Sequence, residues 1–420
     1  MKNKLLLPLL IFISFIATAF LSNSEDAWGF FGHRRINRMA VFTLPPEMIS
    51  FYKPNIEYIT AHAVDPDKRR YATKHEAVRH YMDIDLYGKA PFNNLPREWS
   101  EALMVWTDVL MINSEGDTTI VFTEKPAKKA EGAGTEEFWH LQTALFDDVV
   151  NPIRHIDYKS FFIDKILSNY YEDEWTCECE DFENLTGKAF RDCKKIFIED
   201  HLSHGGIVPY HLMHMNNRLT KSFEQNNARN ILRNSAEYGH YLGDAHVPLH
   251  TTENYNGQMT DQVGIHGFWE SRIPELFADE SYDFFVGKAE YIDNPRDYFW
   301  DIILESHSYL DSVLLIEKRI SETFPQDQQY CYDERLGRTI RTECRAYAAE
   351  YQRQMNGLME KRMQDAIRAV GNVWYTCWVD AGAPDLKKLL LSEKEIAEEA
   401  KADEELDNKV NGGEIIGRPH

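Results

Sequence analysis

Gly239-His240-Tyr241-Leu242-Gly243-Asp244-Ala245-His246-Val247-Pro248-Leu249-His250 sets a histidine and an aspartate four residues apart, then a proline, then another histidine. Positions four apart on a helix share a face, so His240 and Asp244 can reach one metal ion together. Pro248 ends the helix and lets His250 turn back toward the same space. Sixteen residues on, His266-Gly267-Phe268-Trp269-Glu270 repeats the spacing with a glutamate. Imidazole and carboxylate without thiolate form a ligand set suited to catalytic zinc with a position open for water. A lone His-x-x-x-Asp is more commonly a surface pair or a capped core histidine. Two such pairs joined by a third histidine point to metal.

The flanking sequence reads as helix. Asn230 to Leu242 turns Ile231, Leu232, Ala236 and Leu242 to one side, and Ile36, Met39, Ala40 and Phe42 do the same before Pro45 and Pro46. A long helix from about Ala346 to Asp380 carries Met355, Leu358, Met359, Met363, Ala366 and Ile367 inward. Period-2 runs are scarce, with Thr118 to Thr123 the best candidate for a short strand. The expectation is an all-α fold: one helical domain over 28–391, with 92–205 as an inserted elaboration. The charged stretch 392–420, which lacks aromatics, is expected to begin as a solvated helix and to finish disordered.

Of 420 residues, 43% are hydrophobic and 13% aromatic, enough for a sizeable core. The formal net charge of -22 opposes broad attraction to a phosphate backbone or an anionic membrane. Met1-Lys2-Asn3-Lys4 followed by the apolar run Leu5 to Phe20 has the pattern of a signal peptide. The run is interrupted by Pro8 and Ser14 and falls short of the about 20 residues that span a bilayer. The chain is therefore expected to be exported, with 1–27 as signal peptide and leader, and to have no stable membrane span. Cys331 and Cys344 flank a polar stretch and could close a short loop. Cys177, Cys179 and Cys193 could pair among themselves, and Cys377 reads as a small apolar core residue.

His33, Asp65 and His80 add candidates upstream. The set Trp28, His33, Asp65, His80, His240, Asp244, His250, His266 and Glu270 resembles, in order, the ligands of a trinuclear-zinc superfamily. That superfamily contains bacterial phospholipase C and the fungal-type single-strand-specific nucleases. The resemblance implies a helical fold and three zinc ions. Asp65, His80, His240 and Asp244 would hold the first, and His250, His266 and Glu270 the second. Trp28, through a free amine and its carbonyl, would hold the third with His33, and Asp244 would bridge it to the first. It also implies that water deprotonated between two ions attacks phosphorus in line, with Asp65 as the catalytic residue that orients it or accepts its proton. Coordination by Trp28 needs cleavage directly after Ala27. Ala17-Thr18-Ala19 fits a signal peptidase better, and a cut there leaves the Trp28 amine in a peptide bond.

The two branches divide the remaining features. Trp28 and His33, five apart, and the interval from Asp65 to His80 resemble the nucleases. Glu270, and the absence of a Gly-Gly-Asn element before His266, resemble phospholipase C. Tyr255, Phe268 and Trp269 are the candidate substrate contacts, able to stack an unpaired base or flank a choline headgroup, although the commonest fate of such residues is simply to pack in the core. The expected function is an exported, phospholipase C-like zinc phosphodiester hydrolase. A single-strand nuclease or 3'-nucleotidase is the alternative, and a non-catalytic secreted metal-binding protein comes third. The substrate would be a phospholipid headgroup, or single-stranded nucleic acid or a nucleotide; no protein partner is inferred. His201, His204, His211, His214 and His246 stay outside the ligand set, and Arg34 and Arg35 read as surface residues able to touch a phosphate.

Overall fold

A computed structural model describes residues 30–92, 95–126, 137–335, 338–389, 393–413 and 415–418. The expected signal peptide and Trp28 lie outside the described residues.

The centre is a packed group of helices: α1 (Phe30–Ala40), α2 (Val208–Glu224), α3 (Ala228–Ala245) and α4 (Leu358–Asp380). The Asn227 side chain accepts a hydrogen bond from the Asn230 N–H and so caps α3. Nearly every residue of α3 from Asn234 to Ala245 is buried, which makes it the axis of the core. Trp374 of α4 stacks on Tyr52 and donates its indole N–H to the Ser235 carbonyl at 3.1 Å. At Gly239 a Cβ would meet Asn37 Oδ1 at 1.9 Å, and at Gly243 it would meet His33 Nδ1 at 2.9 Å. These two glycines, one turn apart on α3, let α1 lie directly against it. Asn37 answers by donating to the Ala236 carbonyl at 2.9 Å.

The all-α expectation does not hold. Helix dominates, but among the described residues nine strands form three antiparallel sheets, so the fold is mixed. Between 92 and 205 lie β1 (Thr107–Ile112), β2 (Thr118–Ile120), β3 (Phe122–Glu124), β4 (Phe138–Leu141), β5 (Ile153–Arg154), β6 (Trp175–Cys177) and β7 (Lys195–Asp200). Their sheets run in the orders β2-β1-β7-β6 and β3-β4-β5. The strands are short, and β1 alternates in burial but not in residue type, because Val109-Leu110-Met111-Ile112 is apolar on both faces. A run of that kind carries no period-2 signal. A hairpin of β8 (Tyr330–Arg335) and β9 (Arg338–Glu343) forms the third sheet, and the Cys331–Cys344 disulfide staples its base. Cys179 pairs with Cys193, while Cys177 and Cys377 are buried thiols.

The stretch expected to finish disordered is helical over α5 (Glu393–Gly412) and docks on the body. Arg229 pairs with Glu398 and Glu399, Lys68 pairs with Asp407, and Ile416 donates its N–H to the Arg70 carbonyl. The expected helical start is present and most of its described side chains are exposed, while Glu398, Glu399, Asp403 and Asp407 find partners on the body. No helix among the described residues is long and apolar enough to cross a membrane.

Candidate metal centre

Each candidate ligand is held by a short, well-defined piece of backbone. His33 sits on α1, and His240 and Asp244 on one turn of α3. Asp67 lies on the short helix Asp65–Arg69, and His80 directly follows the turn Ala77–Arg79. Pro248 ends α3 as expected, and the turn Pro248–Thr251 carries His250 inward. His266 and Glu270 lie where a helical turn widens into a π-type turn over Phe268–Arg272, a feature frequent at functional sites.

These pieces bring two clusters side by side. In the first, His80 Nδ1 and His240 Nε2 lie 3.0 and 3.2 Å from Asp244 Oδ2 and 3.1 Å from each other. Asp67 Oδ1 stands 3.7 Å from His80 Nδ1 and 3.6 Å from His240 Nε2. In the second, His250 Nε2 lies 2.9 Å from His266 Nε2 and 3.5 Å from Glu270 Oε2, and His266 Nε2 is 2.7 Å from that oxygen. His33 Nε2 sits between them, 3.4 Å from Asp244 Oδ1 and 3.3 Å from Glu270 Oε1. Both carboxylates thus face both ways.

Burial and charge act against each other here. Burial disfavours the His33 cation, yet its hydrogen bond to Glu270 and the fields of Asp244, Asp67 and Glu270 outweigh this and raise its pKa to about 9. Burial would also protonate Asp244, but His240 and His80 hold it well below the usual carboxylate range. Glu270 is held down in the same way, by His250, His266 and His33. For His240, burial wins and, with the charge of His33, lowers the pKa. The result is a set of ionised carboxylates among imidazoles in a water-poor pocket.

The donor set fits a small divalent cation. The Nδ1–H of His240 donates to the Ala63 carbonyl and that of His250 to the His80 carbonyl, both at 2.8 Å. That fixes the rings so that Nε2 presents its lone pair to the cluster, the usual support of a metal-bound histidine. Asp244 Oδ2 is buried without a hydrogen bond although two imidazole nitrogens flank it. Tetrahedral ligands at about 2.0–2.1 Å from an ion stand about 3.3 Å apart, and the contacts above bracket that spacing. Several groups of histidine and carboxylate could therefore hold metal ions: His33, His240 and Asp244; Asp67, His80 and His240; and His250, His266 and Glu270.

Two expectations need correction. Asp65 stands apart from these two clusters, and Asp67 stands where Asp65 was expected. The Asp65 carboxylate takes a hydrogen bond from His62 Nδ1 at 2.6 Å and forms with His62 and Asp403 a further, partly exposed group that could hold an ion. The signal was present, since buried Ala63 and Val64 on one side and Tyr71 on the other bracket position 67 at helical spacing. Phe268 and Trp269 are core residues. They are 3% and 1% exposed, and Phe268 stacks on Tyr347, so neither is open to a substrate. Tyr255 is half-buried and places its ring 5.9 Å from that of His266, edge to face.

Glu76 went unnoticed in the sequence. It is fully buried, lies 3.7 Å from His80 Nε2, and accepts from Arg79, Arg69 and the Tyr241 hydroxyl. The spacing Glu76-x-x-x-His80 was its only signal. Outside the clusters, as expected, buried His246 donates to the Leu242 carbonyl, and burial and then Arg362 lower its pKa to about 3. His211 stacks on His214, His201 pairs with Asp108, and Arg35 pairs with Asp279. No protein-family model matches the chain, and no curated protein is significantly similar to it.

Proposed function

We propose that this protein is an exported, zinc-dependent phosphoric ester hydrolase of the phospholipase C type. The observation that carries the reading is the convergence of five imidazoles and three carboxylates, from His33 to Glu270, into two adjoining clusters joined through His33. Structural zinc is normally enclosed by four protein ligands at one ion, whereas linked clusters of oxygen and nitrogen donors suit hydrolysis. Bound ions would supply Lewis acidity to a phosphoryl oxygen and to water. Asp67 would be the carboxylate to accept a proton from such a water; in support, it faces His80 and His240, and its side chain is 17% exposed against 2% for Asp244. Glu76 and the Ala63 carbonyl hold His80 and His240 in orientation.

A cationic headgroup is favoured by the surroundings of Tyr255. The ring beside His266 already bears a guanidinium, that of Arg418, 3.6 Å from its centre. A chain of net charge -22 accepts a headgroup cation more readily than a polynucleotide. Export is supported by the two disulfides and the basic-then-apolar start. The test is an assay of the zinc-loaded protein against phosphatidylcholine and against single-stranded DNA. Phosphocholine release without nucleotide release is the expected result, and nucleotide release alone would establish the nuclease alternative. Asp244→Asn should abolish turnover and lower zinc content; a fully active variant would overturn the assignment.

A further inference from the structure

Residues 415–418 return to the metal centre after α5. The Ile416 N–H donates to the Arg70 carbonyl at 2.9 Å, and the Arg70 guanidinium donates to the Arg418 carbonyl. Gly417 adopts a φ of +101° and passes so close to Ala77 that a Cβ would fall 2.7 Å from the Ala77 Cβ. Only glycine meets both conditions without strain. The turn at Gly417 delivers Arg418 into a cage. Its Nη1 donates to both oxygens of Asp83 at 2.7 Å, and its Nη2 to the Thr252 carbonyl at 3.0 Å. Its guanidinium lies 4.1 Å from the centre of the Tyr81 ring and 3.6 Å from that of Tyr255.

The cage is built from the neighbours of the ligands. Tyr81 follows His80, Thr252 comes two residues after His250, and Tyr255 packs on the His266 ring. On the opposite side, Arg70 stands 3.8 Å from the Asp67 carboxylate. The segment therefore reaches from Arg70, beside Asp67, to Tyr255, beside His266.

We propose that Tyr81, Asp83, Thr252 and Tyr255 form a guanidinium-binding subsite at the edge of the metal centre, and that Arg418 fills it as a displaceable plug. Carboxylate, carbonyl and two ring faces together match a planar cation that stacks and donates in two directions. With the plug seated, the face of Tyr255 is covered. With it displaced, that face and the ligand edges beside it are free. The plug bears on the hydrolysis proposed above, but its test needs no phosphoester.

The test follows zinc loss from the full chain to an excess of chelator. Arg418→Ala removes the plug's charge, and Gly417→Val undocks the segment with the arginine intact. Both should lose zinc about 10-fold faster than the parent protein, the effect expected from one charge-assisted, stacked contact. Guanidinium ion at a sub-denaturing concentration should slow the loss from Arg418→Ala and leave the parent unchanged. Equal rates in the parent and both folded variants would overturn the plug and leave the hydrolase reading untouched. Faster zinc loss without hydrolysis of any phosphoester would support the plug and overturn that reading.

Discussion

Between Gly239 and Asp244 a single turn of α3 places two candidate ligands against α1 by close backbone approach. The 92–205 region is organised differently: its sheets enclose an aromatic cluster in which Phe122 packs on Trp139 at 5.0 Å and on Tyr158 at 4.8 Å. None of the candidate metal groups among the described residues draws a ligand from 92–205. The core turn tolerates almost no added volume because chemistry and packing share the same atoms. Among the described residues the elaboration lends these groups no ligand, and its last residues meet their edge, where the His204 and Gly205 carbonyls accept from the Tyr81 hydroxyl and the Asp83 N–H.

The comparison can be broken in several ways, the largest first. Trp139 is fully buried, so Trp139→Ala should cost about 3–5 kcal/mol in denaturant unfolding of the region around it. Zinc content at pH 7.5 should nevertheless stay at the parental level; a loss of metal would show that the two regions are not separate. Gly239→Val forces a Cβ onto Asn37 and should cost about 3 kcal/mol while also reducing zinc content, because α1 and His33 must move away from α3. Asp67→Asn should weaken zinc binding by about 10–100-fold in competition with a chelator. Asp65→Asn should change binding at the two adjoining clusters by less than about 2-fold, since His62, Asp65 and Asp403 form a separate group. Equal effects would sink the reassignment to Asp67.

The smallest effect concerns pH. Burial raises the Asp83 pKa to about 6; Arg418 pulls it down, and Asp85 and Glu253 push it up. Because docking of Arg418 favours the carboxylate, the contact is complete above that value and lost as the pH falls through it. Hydrogen exchange at the Ile416 amide, corrected for its intrinsic rate, should lose protection between pH 7 and pH 5. Protection unchanged over that window would contradict the assignment.

The candidate ligands on regular helix were legible because helical spacing converts sequence directly into proximity. His240 with Asp244, and His266 with Glu270, meet in space as their separations imply. Asp65 and Asp67 could be told apart only by asking which of them shares a face with Ala63, Val64 and Tyr71. Phe268 and Trp269 misled for the opposite reason: nearness in sequence to two ligands said nothing about the side of the turn they occupy. The strands of 92–205 were hidden because apolar residues fill both faces of β1. The docking of 415–418 could not be read at all, since it depends on where Arg70, Ala77 and Asp83 lie in three dimensions.

His80 serves both clusters, with its ring in the first and its carbonyl holding the Nδ1–H of His250 in the second. An ion that fixes the His80 ring also fixes the peptide that orients His250, so the first ion to bind pre-pays part of the ordering required by the next. Loading should then be cooperative. Native mass spectrometry of protein given less zinc than its capacity should find apo and fully loaded chains side by side, with few molecules in between.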